Sequence, residues 1–284
     1  MKGGGYVIKA IFFDIDGTLL TSMGKVLPST KEAIAQAQAK GIYVGVATGR
    51  GPAQVNHLLG ELDLDICVTY NGQLVYTKDK ELYTRPFGKF ALDQIINYAD
   101  EKDLSLSFGA ADQVTGSRLM NLGQSAIAQR LVRFLPKRFP VKPVKKLLQA
   151  GHFYRSKTHY QDMPILKEPI YQCMLFNPES EDPKVGAALS QCDLLRSNHF
   201  SVDLVPKGGS KFHGIQVFLA EKGLQSEDVI AFGDHQNDIE MLKGVGIGVA
   251  MGNGKRAAKE AADYVTASNN LDGIAKALAH FEII

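Results

Sequence analysis

Two aspartates separated by one residue follow the first apolar run of the chain. Lys9–Phe13 reads KAIFF, and Asp14 and Asp16 come after it, before Gly17 and Thr18. The run has the composition of a buried strand. Because burying a lone carboxylate is costly, two of them at a strand end indicate a cation or a chemical role. A carboxylate can also attack phosphorus as a nucleophile. The alternative is a strand that ends in a plain Asp-Gly turn.

A second pair of carboxylates follows another apolar run. Val229–Phe232 reads VIAF, and Asp234 and Asp238 lie just beyond it. In a parallel α/β sheet, ligands bind outside the carboxyl ends of the strands. This arrangement would bring the second pair of aspartates to the same edge as Asp14. Hard oxygen ligands of this kind favour Mg²⁺, which takes few carboxylates and keeps several waters.

Two more strand-to-helix turns carry groups that suit a phosphate. A predicted strand over 42–47 ends in Thr48, Gly49 and Arg50. A hydroxyl and backbone N–H groups at such a turn can hold a phosphate oxygen, although a plain turn is the commoner explanation. Lys211 stands at the start of a predicted helix, where the helix dipole disfavours a cation. An ordinary exposed lysine and a lysine placed beside a phosphate or a carboxylate both remain open.

A third predicted strand ends in an Asn-Gly pair. Ile66–Tyr70 is followed by Asn71 and Gly72, and this dipeptide favours a tight hairpin turn. Asn71 would lie at the rim of the site only if its strand runs parallel to the first two.

The pattern of elements predicts an α/β protein in two parts. Residues 1–84 and 198–284 alternate strands and helices, as expected for a parallel-sheet core. Residues 85–197 read as a separate α+β insert. A length of 284 residues suits about two domains.

The insert is more basic than the rest of the chain. Between Gln113 and Gln161 there are ten basic residues and no acidic one. A solvated surface is the simpler explanation, and a positive face that attracts anionic, phosphorylated substrates is the alternative. Few aromatic residues interleave with them, so nucleic-acid recognition ranks third. The ten residues are Arg118, Arg130, Arg133, Lys137, Arg138, Lys142, Lys145, Lys146, Arg155 and Lys157.

Composition argues against several other classes of protein. The net charge of +2 gives no reason to expect a nucleic-acid partner. The three cysteines form no Cys-x-x-Cys pair, so we expect neither a disulfide scaffold nor a zinc ribbon, and a reducing cytoplasm is the default. No apolar run approaches the roughly 20 residues that span a bilayer. The first five residues lack the apolar core of a signal peptide. We therefore expect a cytoplasmic protein with no membrane partner.

The order of these motifs resembles the haloacid dehalogenase superfamily. That superfamily has four motifs along its core, and the matching segments here are Asp14-x-Asp16-Gly17-Thr18, Thr48-Gly49-Arg50, Lys211 and Gly233-Asp234-x-x-Asn237-Asp238. Asn71-Gly72, Met251-Gly252-Asn253 and the insert between the second and third motifs are similar to Cof-type hydrolases with a C2 cap. The resemblance covers nearly the whole chain and is weakest inside the insert.

The resemblance implies a Rossmann-like core at 1–84 and 198–284, a C2-type cap at 85–197, and Mg²⁺ as cofactor. Asp14 would be the nucleophile and a metal ligand. Asp16 would be the general acid and base, with its backbone carbonyl on the metal. Asp234 would bind the metal, and Asp238 would support it from behind.

The remaining roles also follow from the resemblance. Thr48, Gly49 and Lys211 would hold the phosphoryl group, and Asn237 would contact it. His235 and Gln236 depart from the small or acidic residues that are commoner in the fourth motif, which leaves the contacts of that loop open.

The function that the resemblance implies is a Mg²⁺-dependent phosphatase. Its partners would be small phosphorylated metabolites, such as sugar phosphates, hydrolysed through an aspartyl-phosphate. One alternative is a phosphotransferase or mutase that passes the phosphoryl group to another acceptor. Another is a non-catalytic regulator that only binds a phosphorylated ligand. The intact set of Asp, Thr and Lys argues against the regulator, because a binding module has no need of Asp16.

Overall fold

The computed structural model describes residues 7–116, 160–196 and 200–284. The basic residues singled out between Gln113 and Gln161 all fall within 117–159, outside the described residues. In chain order, the strands are β1 (Ala10–Phe13), β2 (Tyr43–Ala47), β3 (Ile66–Thr69), β4 (Leu74–Tyr76), β5 (Glu81–Thr84), β6 (Leu106–Gly109), β7 (Val114–Gly116), β8 (Gln172–Phe176), β9 (Cys192–Leu195), β10 (Ser201–Pro206), β11 (Val229–Gly233), β12 (Ile247–Ala250) and β13 (Tyr264–Val265).

Eight α-helices accompany these strands in the described ranges. They are α1 (Pro28–Ala39), α2 (Pro52–Leu59), α3 (Lys89–Glu101), α4 (Asp182–Ala188), α5 (Lys211–Lys222), α6 (Ile239–Gly244), α7 (Arg256–Ala261) and α8 (Gly273–His280). None of the helices in this part of the chain combines the length and the apolar character that crossing a bilayer requires.

The first sheet has eight strands in the order β13-β12-β11-β1-β2-β3-β4-β5. The six strands from β13 to β3 run parallel, and β4 and β5 are added antiparallel. The central strands are buried on both faces, which explains their continuous apolar sequences. Phe12, Phe13 and Phe232 are all fully buried. The predicted α/β class with a parallel-sheet core is confirmed.

Helices cover both faces of this sheet. On one face, Ala33 and Ile34 of α1 and Leu278 of α8 pack into a single apolar cluster with the strands. On the other face, Phe218 of α5 and Met241 of α6 pack into a second cluster. The helices therefore leave the ends of the parallel strands as the open edges of the layer, and the loops at the carboxyl edge carry the polar motifs.

The second sheet has five antiparallel strands in the order β7-β6-β8-β10-β9. One of its faces packs against α3 and α4 in a cluster that includes Leu106, Phe108, Leu175, Ile95 and Val185. This sheet is inserted between β5 and α5, where the sequence predicted an α+β insert.

The strand pairing differs from the sequence expectation at one point. The predicted core segment begins at 198, yet β10 pairs with β8 and β9 in the second sheet. Alternation of apolar and polar residues identified β10 as a strand, but alternation does not reveal which sheet a strand joins. The strands of the second sheet therefore extend to Pro206. The division of the chain into two domains remains a prediction.

Direct contacts join the two sheets next to Tyr70. Its ring stacks on that of Tyr171 with centroids 5.9 Å apart, and its hydroxyl donates to the carbonyl of Ala110 at 2.8 Å. The hydroxyl of Thr84 donates to that of Tyr171 at 2.9 Å. These contacts hold the second sheet beside the loop that follows β3.

Candidate active site

Asp14 and Lys211 form a buried ion pair at the carboxyl edge of the first sheet. Asp14 follows β1, and its N–H donates to the carbonyl of Phe232 on β11 at 2.9 Å. Lys211 begins α5, and its Nζ lies 2.5 Å from Asp14 Oδ1 and 2.7 Å from Asp238 Oδ1. Only 1% of the Lys211 side chain is exposed. Two carboxylates thus compensate the unfavourable position of a cation at a helix N-terminus.

Asp238 connects this ion pair to the loop after β11. While Oδ1 accepts from Lys211, Oδ2 accepts the backbone N–H groups of Asp234 and His235, each at 2.9 Å. Asp238 is itself fully buried. It therefore fixes the position of Asp234, the residue predicted to bind the metal.

Three carboxylates meet at this point. Asp14, Asp234 and Asp238 each offer one oxygen, and these atoms lie within 4.8 Å of one another. Gly17 approaches them closely, since a Cβ at this position would stand 2.4 Å from Asp234 Oδ2. Gly17 also has a φ of +91°, which favours glycine. An all-oxygen donor set next to a cradle with no room for a side chain fits a hard divalent cation such as Mg²⁺.

The pKa values of the pair reflect this crowding of charge. Burial raises the pKa of Asp14 well above its ordinary value, and the three nearby aspartates add to it, although Lys211 lowers it. Burial alone would lower the pKa of Lys211, but Asp14 and Asp238 outweigh that effect and raise it. One lysine therefore faces more carboxylates than it can neutralise, and an added cation would relieve the repulsion.

Asp16 lies apart from this cluster, although it stands only two residues from Asp14. Arg50 Nε donates to Asp16 Oδ2 at 2.5 Å, and Arg50 Nη2 donates to Oδ1 at 2.9 Å. This two-point contact holds the carboxylate in one plane. Arg50 is part of the Thr48-Gly49-Arg50 motif, but this pairing with Asp16 was not predicted. Its position directly after Thr-Gly was the available signal.

Thr48 and Gly49 lie in the turn after β2. Thr48 is buried, and its Oγ1 accepts the N–H of Arg50 at 3.1 Å. A Cβ on Gly49 would stand 3.0 Å from the side-chain amide nitrogen of Asn71. The absence of a side chain at Gly49 therefore lets the backbone of this turn approach Asn71 closely.

Asn71 links the site to the second sheet. Asn71 follows β3, and β3 runs parallel to β2, which is the arrangement that would bring Asn71 to the rim of the site. Its Oδ1 accepts from Asn237 Nδ2 at 3.2 Å, and its Nδ2 donates to Gln172 Oε1 on β8 at 3.2 Å. A φ of +54° places it in the left-handed region, which asparagine tolerates.

The predicted site residues fall into three neighbouring groups. The first is the charged cluster of Asp14, Lys211, Asp234 and Asp238, and the second is Asp16 with Arg50. The third is the polar rim, formed by Thr48, Gly49 and Asn237 with Asn71. One further contact was not predicted from the sequence. Asn253 Nδ2 donates to the carbonyl of Gly17 at 2.7 Å.

Comparison with known proteins identifies the class. A profile of the haloacid dehalogenase-like hydrolases matches residues 11–278. Because this match spans most of the chain, the chain belongs to that family.

Individual relatives agree with this assignment. YkrA of Bacillus subtilis (strain 168) is 32% identical over 277 residues, which cover 97% of this chain and 98% of YkrA. The pyridoxal phosphate phosphatase YbhA of Escherichia coli (strain K12) is 27% identical, with 94% and 96% of the two chains covered. The solved structure of the HAD subclass IIB sugar phosphatase BT4131 matches with a TM-score of 0.77 and 29% identity, covering 97% of this chain and all of that one. These matches confirm the predicted family and the predicted enzyme class, a hydrolase of the phosphatase type.

Proposed function

We propose that this enzyme is a Mg²⁺-dependent phosphatase of small phosphorylated metabolites, such as sugar phosphates, and that it acts through a phosphoryl group carried by Asp14. The observation that carries the proposal is the buried contact of Asp14 Oδ1 with Lys211 Nζ at 2.5 Å, within reach of Asp234 and Asp238. An attacking carboxylate, a phosphate-binding cation and a site for a divalent ion would then coincide at the carboxyl edge of the first sheet.

Charge explains why these groups belong together. A phosphate dianion repels a carboxylate, so both need cations beside them before attack. Lys211 provides one positive charge. Its ammonium group is held in place because it donates hydrogen bonds to both Asp14 and Asp238. Mg²⁺ bound by Asp14, Asp234 and the backbone carbonyl of Asp16 would add further positive charge and polarise the phosphoryl oxygens.

The polar rim would hold the transferred group. In the proposed complex, the space in front of Asp14 would be lined by Thr48 Oγ1, the backbone of Gly49 and the amide of Asn237. Hydrogen-bond donors that are already fixed require little reorganisation when charge develops on the phosphoryl oxygens.

Asp16 would carry the protons. In its protonated form it would give a proton to the leaving oxygen while Asp14 attacks phosphorus in line. The resulting carboxylate would then take a proton from water as that water cleaves the aspartyl-phosphate. Arg50 holds both Asp16 oxygens, and we assign it the role of orienting this carboxylate.

The substrate class rests on the relatives. One relative is named as a pyridoxal phosphate phosphatase and another as a sugar phosphatase. Both names describe small phosphomonoesters with polar leaving groups, and this shared chemistry supports the same substrate class for the present enzyme.

Phosphate release from 4-nitrophenyl phosphate tests the proposal. The purified chain should be inactive after exhaustive chelation and should regain activity with Mg²⁺, and Asp14→Asn should be inactive at every Mg²⁺ concentration. Full activity in chelator would refute the metal requirement. Binding of the phosphate ester without turnover would favour the non-catalytic regulator. Transfer to an added alcohol or sugar at the expense of free phosphate would favour the phosphotransferase.

A further inference from the structure

One face of the second sheet carries a row of three neighbouring residues, two of which are polar. Strand pairing aligns Ser107 with Met174, and Met174 with Asp203. Their neighbours along the strands, among them Phe108, Cys173 and Leu204, pack into the apolar cluster under α3 and α4. Because side chains alternate across a strand, the row lies on the opposite face.

That opposite face is the one turned towards the active site. Gln172, two residues before Met174 and therefore on the same face, accepts a hydrogen bond from Asn71 at the rim. Gly109, which pairs with Gln172, abuts the ring of Tyr70. The row of Ser107, Met174 and Asp203 is the next row of this face.

Asp203 is close enough to the reaction centre to interact with its charges. Burial raises the pKa of Asp203 to about 7, and the positive charges of Arg196 and Lys211 act in the opposite direction and lower it. Lys211 is the lysine that contacts Asp14. The charge on Asp203 thus belongs to the electrostatic environment of the proposed phosphate site.

The two polar side chains of the row accept no hydrogen bond from the described residues. No hydrogen bond reaches the carboxylate of Asp203 from the described residues. Ser107 is 1% exposed, and its Oγ is buried without a hydrogen-bond partner. Asp203 is half-buried, so its carboxylate is open to a donor on a bound molecule, whereas the hydroxyl of Ser107 beside it is buried. Buried polar groups are nearly always hydrogen-bonded, so an unpaired one requires an explanation.

We propose that Asp203 is a specificity-determining residue that accepts a hydrogen bond from a hydroxyl group of the leaving group and repels leaving groups that carry a second anion. This inference rests on the proposed phosphatase function and adds a direction of selectivity to it. It places a negative charge at the tail of the substrate, opposite to the positive charge that Lys211 offers to the phosphate.

The chemistry of a carboxyl group explains the direction of the preference. A hydroxyl can donate to an ionised Asp203 and can also accept from a protonated one. A carboxylate or second phosphate on the substrate would instead meet a like charge in a poorly solvated place, which is unfavourable. We therefore expect neutral polyol phosphates to react better than phosphorylated acids.

A matched pair of substrates tests this selectivity. Sorbitol 6-phosphate and 6-phosphogluconate share one carbon skeleton and one phosphate, and they differ at C1 as hydroxymethyl against carboxylate. At pH 8, with Mg²⁺, the wild type should favour the sorbitol ester in kcat/KM by about 10-fold or more, as expected for one like-charge contact. Asp203→Asn should reduce that ratio by about 10-fold or more, chiefly by improving 6-phosphogluconate. Asp203→Glu, which keeps the charge, should keep the wild-type order.

Controls separate this inference from the proposed function. Asp162→Asn removes the same charge from an exposed turn that packs against α3 on the other face of the sheet, and it should leave the ratio unchanged. Hydrolysis of 4-nitrophenyl phosphate by Asp203→Asn shows that the site is assembled. An unchanged ratio in an active Asp203→Asn enzyme would overturn the inference alone, as would a folded variant inactive on all three esters. A wild type that hydrolyses none of them would overturn the proposed function itself.

Discussion

Asp14 and Asp16 leave the same strand end but lie in different surroundings. Asp14 is buried against Lys211, whereas Asp16 is half-buried and is held by Arg50 through both of its oxygens. A carboxylate at the charged cluster is suited to attack a phosphate that is bound there. A carboxylate nearer to solvent, with a partner outside the cluster, is suited to exchange protons. The roles assigned to the two residues therefore follow their environments as well as their order in the motif.

Replacing each aspartate by asparagine should separate the two roles. Asp14→Asn has no carboxylate nucleophile and should give neither turnover nor a covalent species. Asp16→Asn keeps the nucleophile and the backbone carbonyl but loses proton transfer, which is typically worth about 10²–10⁴-fold. With a good leaving group it should phosphorylate Asp14 and then stall. Mass spectrometry of the quenched protein should show one added phosphoryl group on the peptide containing Asp14. A label on Ser or His would contradict the aspartyl mechanism.

Arg50 should matter most when the leaving group is poor. Arg50→Lys keeps the charge but loses the planar two-point contact with Asp16, so the acid is less well oriented. We expect kcat to fall about 10-fold or more for an alkyl phosphate, whereas an aryl phosphate, which needs little protonation, should lose less. Arg256→Lys is the matched control, since Arg256 pairs with Glu260 on an exposed helix. Equal losses on both esters would argue against a role through Asp16.

At the scale of the elements, the site depends on short loops after parallel strands. The loop after β1 passes so close to the loop after β11 that Gly17 has no room for a Cβ beside Asp234. The side chain of Asn253, on a third loop, donates a hydrogen bond to the carbonyl of Gly17. The position of the carboxylates that we propose as metal ligands is therefore a property of several loops packed together.

Adding a methyl group at Gly17 should weaken metal binding selectively. Gly17→Ala meets Asp234 Oδ2 and also has a positive φ, which costs about 1–2 kcal/mol by itself. Gly41 also has a positive φ, +78°, but a Cβ added there would have no neighbouring atom within 4 Å, so Gly41→Ala is the matched control. Both variants should therefore lose stability, and only Gly17→Ala should require more Mg²⁺ for half-maximal activity. A Mg²⁺ titration of the two proteins measures the difference, and an equal shift in both would contradict the steric argument.

The ends of the strands could be predicted from the sequence, whereas the contacts between loops could not. Apolar runs that end in Asp, Thr or Asn identified β1, β2, β3 and β11, because parallel strands buried on both faces leave few other places for polar residues. The pairing of Arg50 with Asp16 depends on how two loops approach each other, and no local pattern encodes that distance. For the same reason, the sequence did not show that β10 pairs within the second sheet, because its partner strands are distant in the chain.

At the scale of the whole molecule, the proposed site lies where the two sheets meet. The chain of contacts from Gln172 through Asn71 to Asn237 runs from the second sheet to the fourth motif. The stacked rings of Tyr70 and Tyr171 lie beside it. The leaving group of a bound phosphomonoester would point away from Asp14. In the proposed complex, the second sheet would therefore be the part of the described chain that contacts it.

The charge imbalance at the site also predicts how the whole fold responds to Mg²⁺. Asp14, Asp234 and Asp238 converge with Lys211 as their close cation, so the folded state carries repulsion that a bound divalent ion removes. A ligand that binds only the folded state at 100 times its Kd stabilises it by about 2.7 kcal/mol. Each kcal/mol shifts Tm by about 2–4 °C for a protein of this size class. We therefore expect saturating Mg²⁺ to raise Tm by about 5–10 °C.

Ionic strength and a matched variant distinguish bound metal from general screening. Sodium chloride at the same ionic strength should shift Tm much less, because the carboxylates are buried and poorly screened. Asp234→Asn keeps the size of the side chain but removes one ligand charge, so its Tm should respond only weakly to Mg²⁺. Asp162→Asn, on an exposed turn of the insert, should respond like the wild type. A Tm that rises equally with both salts, or equally in both variants, would show that Asp234 and its neighbours do not bind Mg²⁺.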